Sequence, residues 1–179
     1  MNGYTKTAML LHWLMFFLMS GLFVIGFYMA DLPNSPDKLQ LISWHKWTGV
    51  TVFMLVLMRL TWRLLNPPPA LPATMPDWQL KAAHGMHAAL YLLMVAMPIS
   101  GWLMSSAKGF QTVWFGILPL PDLLEKNHDL GEALEEVHET LAFVILGLLA
   151  IHVAAAIKHH FIDRDDVLMR MLPMMKPKG

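Results

Sequence analysis

Four apolar runs, each near the length that crosses a bilayer, constrain this 179-residue chain more than any other feature. They extend from about Ala8 to Ala30, Leu39 to Leu65, Ala82 to Ser106 and Val137 to Phe161. A hydrocarbon core of about 30 Å takes roughly 20 helical residues to span. The runs therefore predict an all-α integral membrane protein, a bundle of four transmembrane helices forming one domain over residues 1–179. Charged residues make up 15 % of the chain, well below the roughly 25 % of a soluble domain. The first run is too long for a removable signal peptide and lacks a small-residue cleavage site, so it reads as a mature helix. The lipid bilayer is the expected surrounding; no nucleic-acid partner is expected.

Orientation follows from Lys and Arg. Lys6, Arg59, Arg63, Lys81, Lys158, Arg164, Arg170, Lys176 and Lys178 gather on the side of both termini, against Lys38, Lys46, Lys108 and Lys126 on the other. Both termini are expected in the cytoplasm. The acids divide the other way, which leaves the outer side net acidic. Between the helices, "DLPNSPDK" (Asp31 to Lys38) reads as a tight turn and "NPPPALPATMP" (Asn66 to Pro76) as a stiff extended linker. The longest loop, about Ala107 to Glu136, reads as an amphipathic segment at the outer interface anchored by Trp114 and Phe115. Its acidic end, Leu130 to Glu136, is expected to extend the fourth helix into water.

The nine histidines carry the chemistry, because the chain has no cysteine. Without thiols there are no disulfides, no iron–sulfur clusters and no thioether-attached haem. In "VHETLAFVILGLLAIH", His138 and His152 are nearly four turns apart on one helix, so both project from nearly one face at depths about 21 Å apart. They cannot share one small metal and instead define two stacked sites. His12 of the first helix is level with His152, and His45 of the second is level with His138. Two imidazoles on facing helices suit bis-imidazole ligation of a haem b better than zinc, which needs four compact ligands. Iron saturated in this way favours electron transfer over oxygen chemistry. Gly49, Ala142 and Ala156 each follow a candidate ligand by four residues; a flat macrocycle and plain helix packing account for them equally. Arg59 is deep enough in the second helix to pair with a propionate of the inner haem, and Lys46, beside His45, is placed to do so for the outer one. Arg63 reads as an ordinary positive-inside anchor.

The segments "LLHWL" (Leu10 to Leu14), "WHKWTGV" (Trp44 to Val50), "RLTWRLLNPPP" (Arg59 to Pro69), "HGMHAALYLLM" (His84 to Met94), "VHETLAF" (Val137 to Phe143) and "KHHFIDRDDVLMRM" (Lys158 to Met171) together resemble the bacterial cytochrome b561 family. That resemblance implies a dihaem cytochrome b of the bacterial inner membrane, related to the cytochrome b subunits of formate dehydrogenases and hydrogenases. It implies His12 and His152 as axial ligands of the cytoplasmic-side haem, and His45 and His138 as those of the periplasmic-side haem. One branch of the family oxidises superoxide and reduces ubiquinone. By the same resemblance His159 lies near bound quinone, with His87 of the third helix a further candidate for proton exchange. Interfacial contact with lipid headgroups or haem propionates is an equal reading for both.

The expected function is transmembrane electron transfer through two haems b, from a periplasmic one-electron donor, superoxide foremost, to ubiquinone. Superoxide is an anion, and Lys38, Lys46 and Lys108 offer a local positive funnel on an otherwise acidic outer side. The alternative is a haem-containing anchor and electron relay for a periplasmic or dehydrogenase partner protein. The acidic stretch from Asp122 to Glu136 would then dock a basic partner.

Overall fold

A computed structural model describes residues 3–72 and 75–173. Lys176 and Lys178, counted above for orientation, and part of the proline-rich linker lie outside the described residues. Four helices account for the architecture: α1 (Lys6–Ala30), α2 (Pro36–Leu65), α3 (Asp77–Ala107) and α4 (His128–Lys158). All four are long and apolar enough to cross a membrane.

Caps set the helix ends, and they lie beyond the apolar runs. Thr5 accepts from the Ala8 amide, Ser35 from Lys38 and Asn127 from Leu130, each satisfying an otherwise orphaned first-turn donor. Hence α4 begins at His128, ahead of its greasy run, and carries the acidic stretch as exposed helix. Hydropathy marks the hydrocarbon core, whereas capping marks where the backbone stops being helical.

The short turn makes α1 and α2 an antiparallel hairpin, closed by Lys38 Nζ donating to the Leu32 carbonyl at 2.7 Å. The pairs α1/α2 and α3/α4 pack closely, and α2 joins them through α3. Met15, Val52 and Val56 form the buried centre, with Leu22, Met94 and Val95 against it. That centre draws on α1, α2 and α3; α4 meets α1 through Phe143 against Phe27, ring centres 5.5 Å apart, and meets α1 and α2 through the histidines described below. Large apolar side chains such as Phe17, Val24, Leu92 and Phe143 are exposed, as a lipid-facing surface requires.

One face of the bundle holds the start of α1, the chain that follows α4 and the described part of the linker. There Arg170 Nη1 donates to the Ala70 carbonyl at 2.5 Å, and the Trp13 indole donates to the Met171 carbonyl at 2.9 Å. The opposite face is covered by a small hairpin, β1 (Val113–Trp114) against β2 (Leu118–Pro119), turned at Phe115 and Gly116, both at positive φ. These are called the terminal face and the loop face.

The hairpin corrects one expectation. Trp114 does not anchor the loop in lipid: its indole N–H turns inward to the Trp47 carbonyl and Thr51 Oγ1, at 3.2 and 3.3 Å. In return the Trp47 indole donates to the Val113 carbonyl at 2.6 Å. A buried indole needs an acceptor, and the start of α2 supplies one. Phe115 stays exposed.

Candidate functional site

α4 lines the interior with His138, Ile145, His152 and, just past its end, His159, residues spaced by seven and so stacked along nearly one face. Ile145, midway between the first two, is fully buried. Near the loop face His138 meets His45 of α2, ring centres 6.3 Å apart and planes at 73°. Near the terminal face His152 meets His12 of α1, again at 6.3 Å, with planes at 69°. The pairing by depth is thus realised as two facing imidazole pairs.

The spacing tests whether the residues fit an axially ligated haem. An imidazole nitrogen binds a first-row metal at about 2 Å and lies about 1 Å from its ring centre, so two imidazoles on opposite sides of one iron have centres roughly 6 Å apart. Both pairs meet that separation, and among the described residues neither belongs to a group of three His, Asp or Glu whose ligand atoms all lie within 4.8 Å of one another, as a compact zinc site would require. His87 of α3 stands 5.5 Å from His152, edge to face. That is closer than the roughly 6 Å of two opposed ligands and sets His87 beside the pair. His84 is exposed on the same helix.

The backs of the loop-face rings rest on bare backbone. A Cβ at Gly101 of α3 would lie 2.9 Å from His138 Cε1, and one at Gly26 of α1 would lie 3.3 Å from His45 Cε1. At Gly101 a side chain could fit only if the ring or the helix moved, and at Gly26 the His45 ring would have to give by a few tenths of an ångström. Beside Gly49 the space is open, with nothing within 4 Å of where a Cβ would stand. Ser100, adjacent to Gly101, lies 2.9 Å from His138 Nδ1.

Charged groups flank each level. Arg59 Nε donates to Tyr91 Oη at 2.8 Å, and its Nη1 reaches the Ala8 carbonyl at 3.4 Å. Its guanidinium lies within electrostatic reach of His12, His87 and His152. Arg59 and Arg63 both approach the Tyr91 ring, at 5.9 and 5.7 Å from its centre, and Tyr4 completes the small cleft they line. Arg63 therefore sits in this cluster rather than free at the interface. Burial pushes the Tyr4 phenol above its ordinary value, partly opposed by Arg63 and Arg59. At the other level Lys46 Nζ donates to the Phe110 carbonyl at 2.9 Å.

Past α4 a single π-helical turn, His159–Asp163, ends at Arg164 in the left-handed region. It curls the chain so that His159 Nδ1 meets Asp165 Oδ2 at 2.6 Å and Asp163 Oδ2 at 3.2 Å. Lys158 pairs with Asp163 at 2.6 Å, which offsets one of the two carboxylates. The three ligand atoms of His159, Asp163 and Asp165 lie within 4.8 Å of one another, and the hydrogen bond between His159 and Asp165 accounts for part of that approach. His128, by contrast, is exposed beside Asp129 and Glu132.

Sequence reasoning passed over Ser100, Gly101, Gly26, Tyr91 and Asp165. The visible signal was the pair Ser100-Gly101, small and polar inside an apolar span two residues after Pro98.

Four apolar spans with imidazoles facing across their interior are the architecture of a membrane cytochrome of the b type. The model of the prokaryotic cytochrome b561 family matches residues 3–174, and the chain belongs to that family. It is 36 % identical over 169 residues to cytochrome b561 homolog 2 of Escherichia coli strain K12, covering 90 % of this chain and 86 % of the relative. Cytochrome b561 homolog 1 of the same organism is 30 % identical over 179 residues, covering 98 % and 100 %. A protein of Yersinia pestis named probable superoxide oxidase CybB is 30 % identical over 169 residues, covering 91 % and 92 %. The chain is accordingly a multi-pass protein of the bacterial inner membrane that transfers electrons by b-type haem.

Proposed function

We propose that the chain carries electrons from a periplasmic one-electron donor, superoxide foremost, to ubiquinone at the cytoplasmic face, with the loop face outward and both termini inside. The observation that carries this reading is the pair of imidazole couples, each at 6.3 Å, stacked at two depths along one face of α4. His45 with His138 and His12 with His152 would each hold a haem b, which would supply reversible one-electron chemistry. The similarity to a protein named as a probable superoxide oxidase supports superoxide as donor.

The residues then divide the work. The four histidines hold and orient the two groups, and Arg59 and Lys46 offer cations to their propionates. His159, backed by Asp165, is placed to hydrogen-bond a quinone carbonyl and pass it a proton. His87, beside His152, is a second proton-exchange group on the same side. The balance is two superoxide anions to two dioxygen molecules, the two electrons and two protons converting one quinone to quinol.

A second reading, an electron relay for a basic periplasmic protein, is favoured by the loop face itself. Lys38 is engaged with the Leu32 carbonyl and Lys46 with that of Phe110, while Lys108 is neutralised by Glu135. Meanwhile Asp129, Glu132 and Glu135 stand exposed. Of the lysines expected to draw in an anion, Lys108 is thus neutralised, whereas Lys38 and Lys46 donate to neutral carbonyls and keep their charge.

Purified protein supplied with enzymatically generated superoxide and a short-chain ubiquinone separates the readings. Quinol formation faster than dismutation permits supports the first. No rate above that background removes superoxide as the donor and leaves the relay. Asp165→Asn should slow quinol formation several-fold with haem content unchanged; an unaltered rate would clear the His159 cluster from the quinone site.

A further inference from the structure

We propose that Ser100 positions His138 through its Nδ1–H and lowers the reduction potential of the haem on the loop side, relative to the one on the terminal side. This rests on the reading of His138 as an axial ligand.

Proton counting carries the first half. Ser100 is buried, 4 % exposed, in the interior of α3. Its Oγ lies 2.8 Å from the Met97 carbonyl and 2.9 Å from His138 Nδ1. A carbonyl oxygen only accepts, and a hydroxyl has a single proton. That proton goes to Met97, so at His138 the serine oxygen is the acceptor and Nδ1 is the donor. The neutral imidazole must then leave Nε2 unprotonated, with its lone pair free for a metal. A serine bonded back to its own helix is common in apolar spans. What exceeds that habit here is the second partner, an imidazole of another helix brought within reach by the missing side chain of Gly101.

The second half follows from what the bond does to the ring. Donation from Nδ1–H moves electron density onto the imidazole and raises its basicity as a ligand. Passing the serine proton on to Met97 strengthens that pull, because linked hydrogen bonds polarise one another. A more basic ligand favours the oxidised state of the metal it holds, so the reduction potential falls. The effect is confined to one level. Among the described residues neither His12 nor His152 has a hydrogen-bond partner for its ring, whereas on the loop side backbone carbonyls also approach the rings, Met97 at His138 and Leu22 at His45. A lower potential at the loop side tilts electron flow from that side toward the terminal face.

Redox titration with low-spin electron paramagnetic resonance on the haem-loaded protein tests this, the loop-side haem being the one lost in His138→Ala. In Ser100→Ala the loop-side potential should rise and its low-spin signal shift, while the other haem keeps both values. Ser100→Thr, which keeps the hydroxyl, should return the potential toward wild type. Loss of the loop-side haem alone in Ser100→Ala, restored in Ser100→Thr, also supports the proposal. Unmoved potentials in Ser100→Ala, or equal shifts at both haems, overturn it. Should the alanine variant not assemble, Ser100→Cys, with its weaker acceptor, must raise the loop-side potential or the proposal fails. Retention of both haems in His138→Ala would instead overturn the ligand reading.

Discussion

His87 stands closer to His152 than His12 does, 5.5 against 6.3 Å between ring centres. Under the proposed ligand set proximity and ligation point to different partners, the 6.3 Å separation being the one closer to that of two imidazoles on one iron. His152→Ala and His12→Ala should each reduce a pyridine haemochrome count from two haems to one. His87→Ala should leave the count at two. Loss of a haem in His87→Ala with retention in His12→Ala would exchange their roles.

Gly101→Ala should be more damaging than its size suggests. The added methyl would stand 2.9 Å from His138 Cε1, where the neighbour is a ring held at its back by Ser100. Overpacking of this kind costs about 1–3 kcal/mol, and the ring can yield only by leaving the orientation that faces His45. The variant should lose the loop-side haem and keep the other. Gly26→Ala, with a 3.3 Å approach to His45, should weaken the same haem less. Haem stoichiometry and thermal unfolding in detergent check both.

The Arg59 to Tyr91 bond separates fold from site. Tyr91→Phe removes one acceptor for a charged donor and should lower stability by about 1–3 kcal/mol, with two haems retained. Arg59→Gln should loosen the terminal-side haem, measured as faster haem transfer to an apo-acceptor protein. An unchanged transfer rate would exclude Arg59 from its propionates.

Tyr4 gives the chain an alkaline limit. Burial holds its phenol above the ordinary 10.0 in the folded state, with Arg63, Arg59 and Arg170 opposing and Tyr91 adding to the shift. The folded value exceeds the unfolded one, so this contribution is fully present below pH 10 and is lost as pH rises through the folded value. Tyr4→Phe should therefore unfold less steeply above pH 10 than the parent, by denaturation at fixed temperature.

How much of this was legible beforehand follows from which distances a sequence encodes. Depth along a helix is a count of residues times a fixed rise. The four spans and the levels of His12, His45, His138 and His152 could therefore be read directly. Rotation between helices is not encoded that way. Nothing in the chain before folding says that Ser100 and Gly101 face His138, that Trp114 turns onto Thr51, or that His87 and not His84 reaches His152. The π turn at His159 was equally hidden. It arises where the helix ends and Asp165 competes for the imidazole, a contest settled by tertiary packing rather than by periodicity.

The seven-residue spacing on α4 has a rotational consequence. A straight α-helix slips by about 20° per heptad, so His138 and His152, two heptads apart, point about 40° away from one another. The two imidazoles meet different helices, α2 at one level and α1 at the other. One helix thus serves two different neighbours in turn, as a screw thread engages successive positions around a nut. Inserting one residue between Ile145 and His152 would swing the lower imidazole by about 100°. Every helix would survive, but the electron path would be cut at one rung.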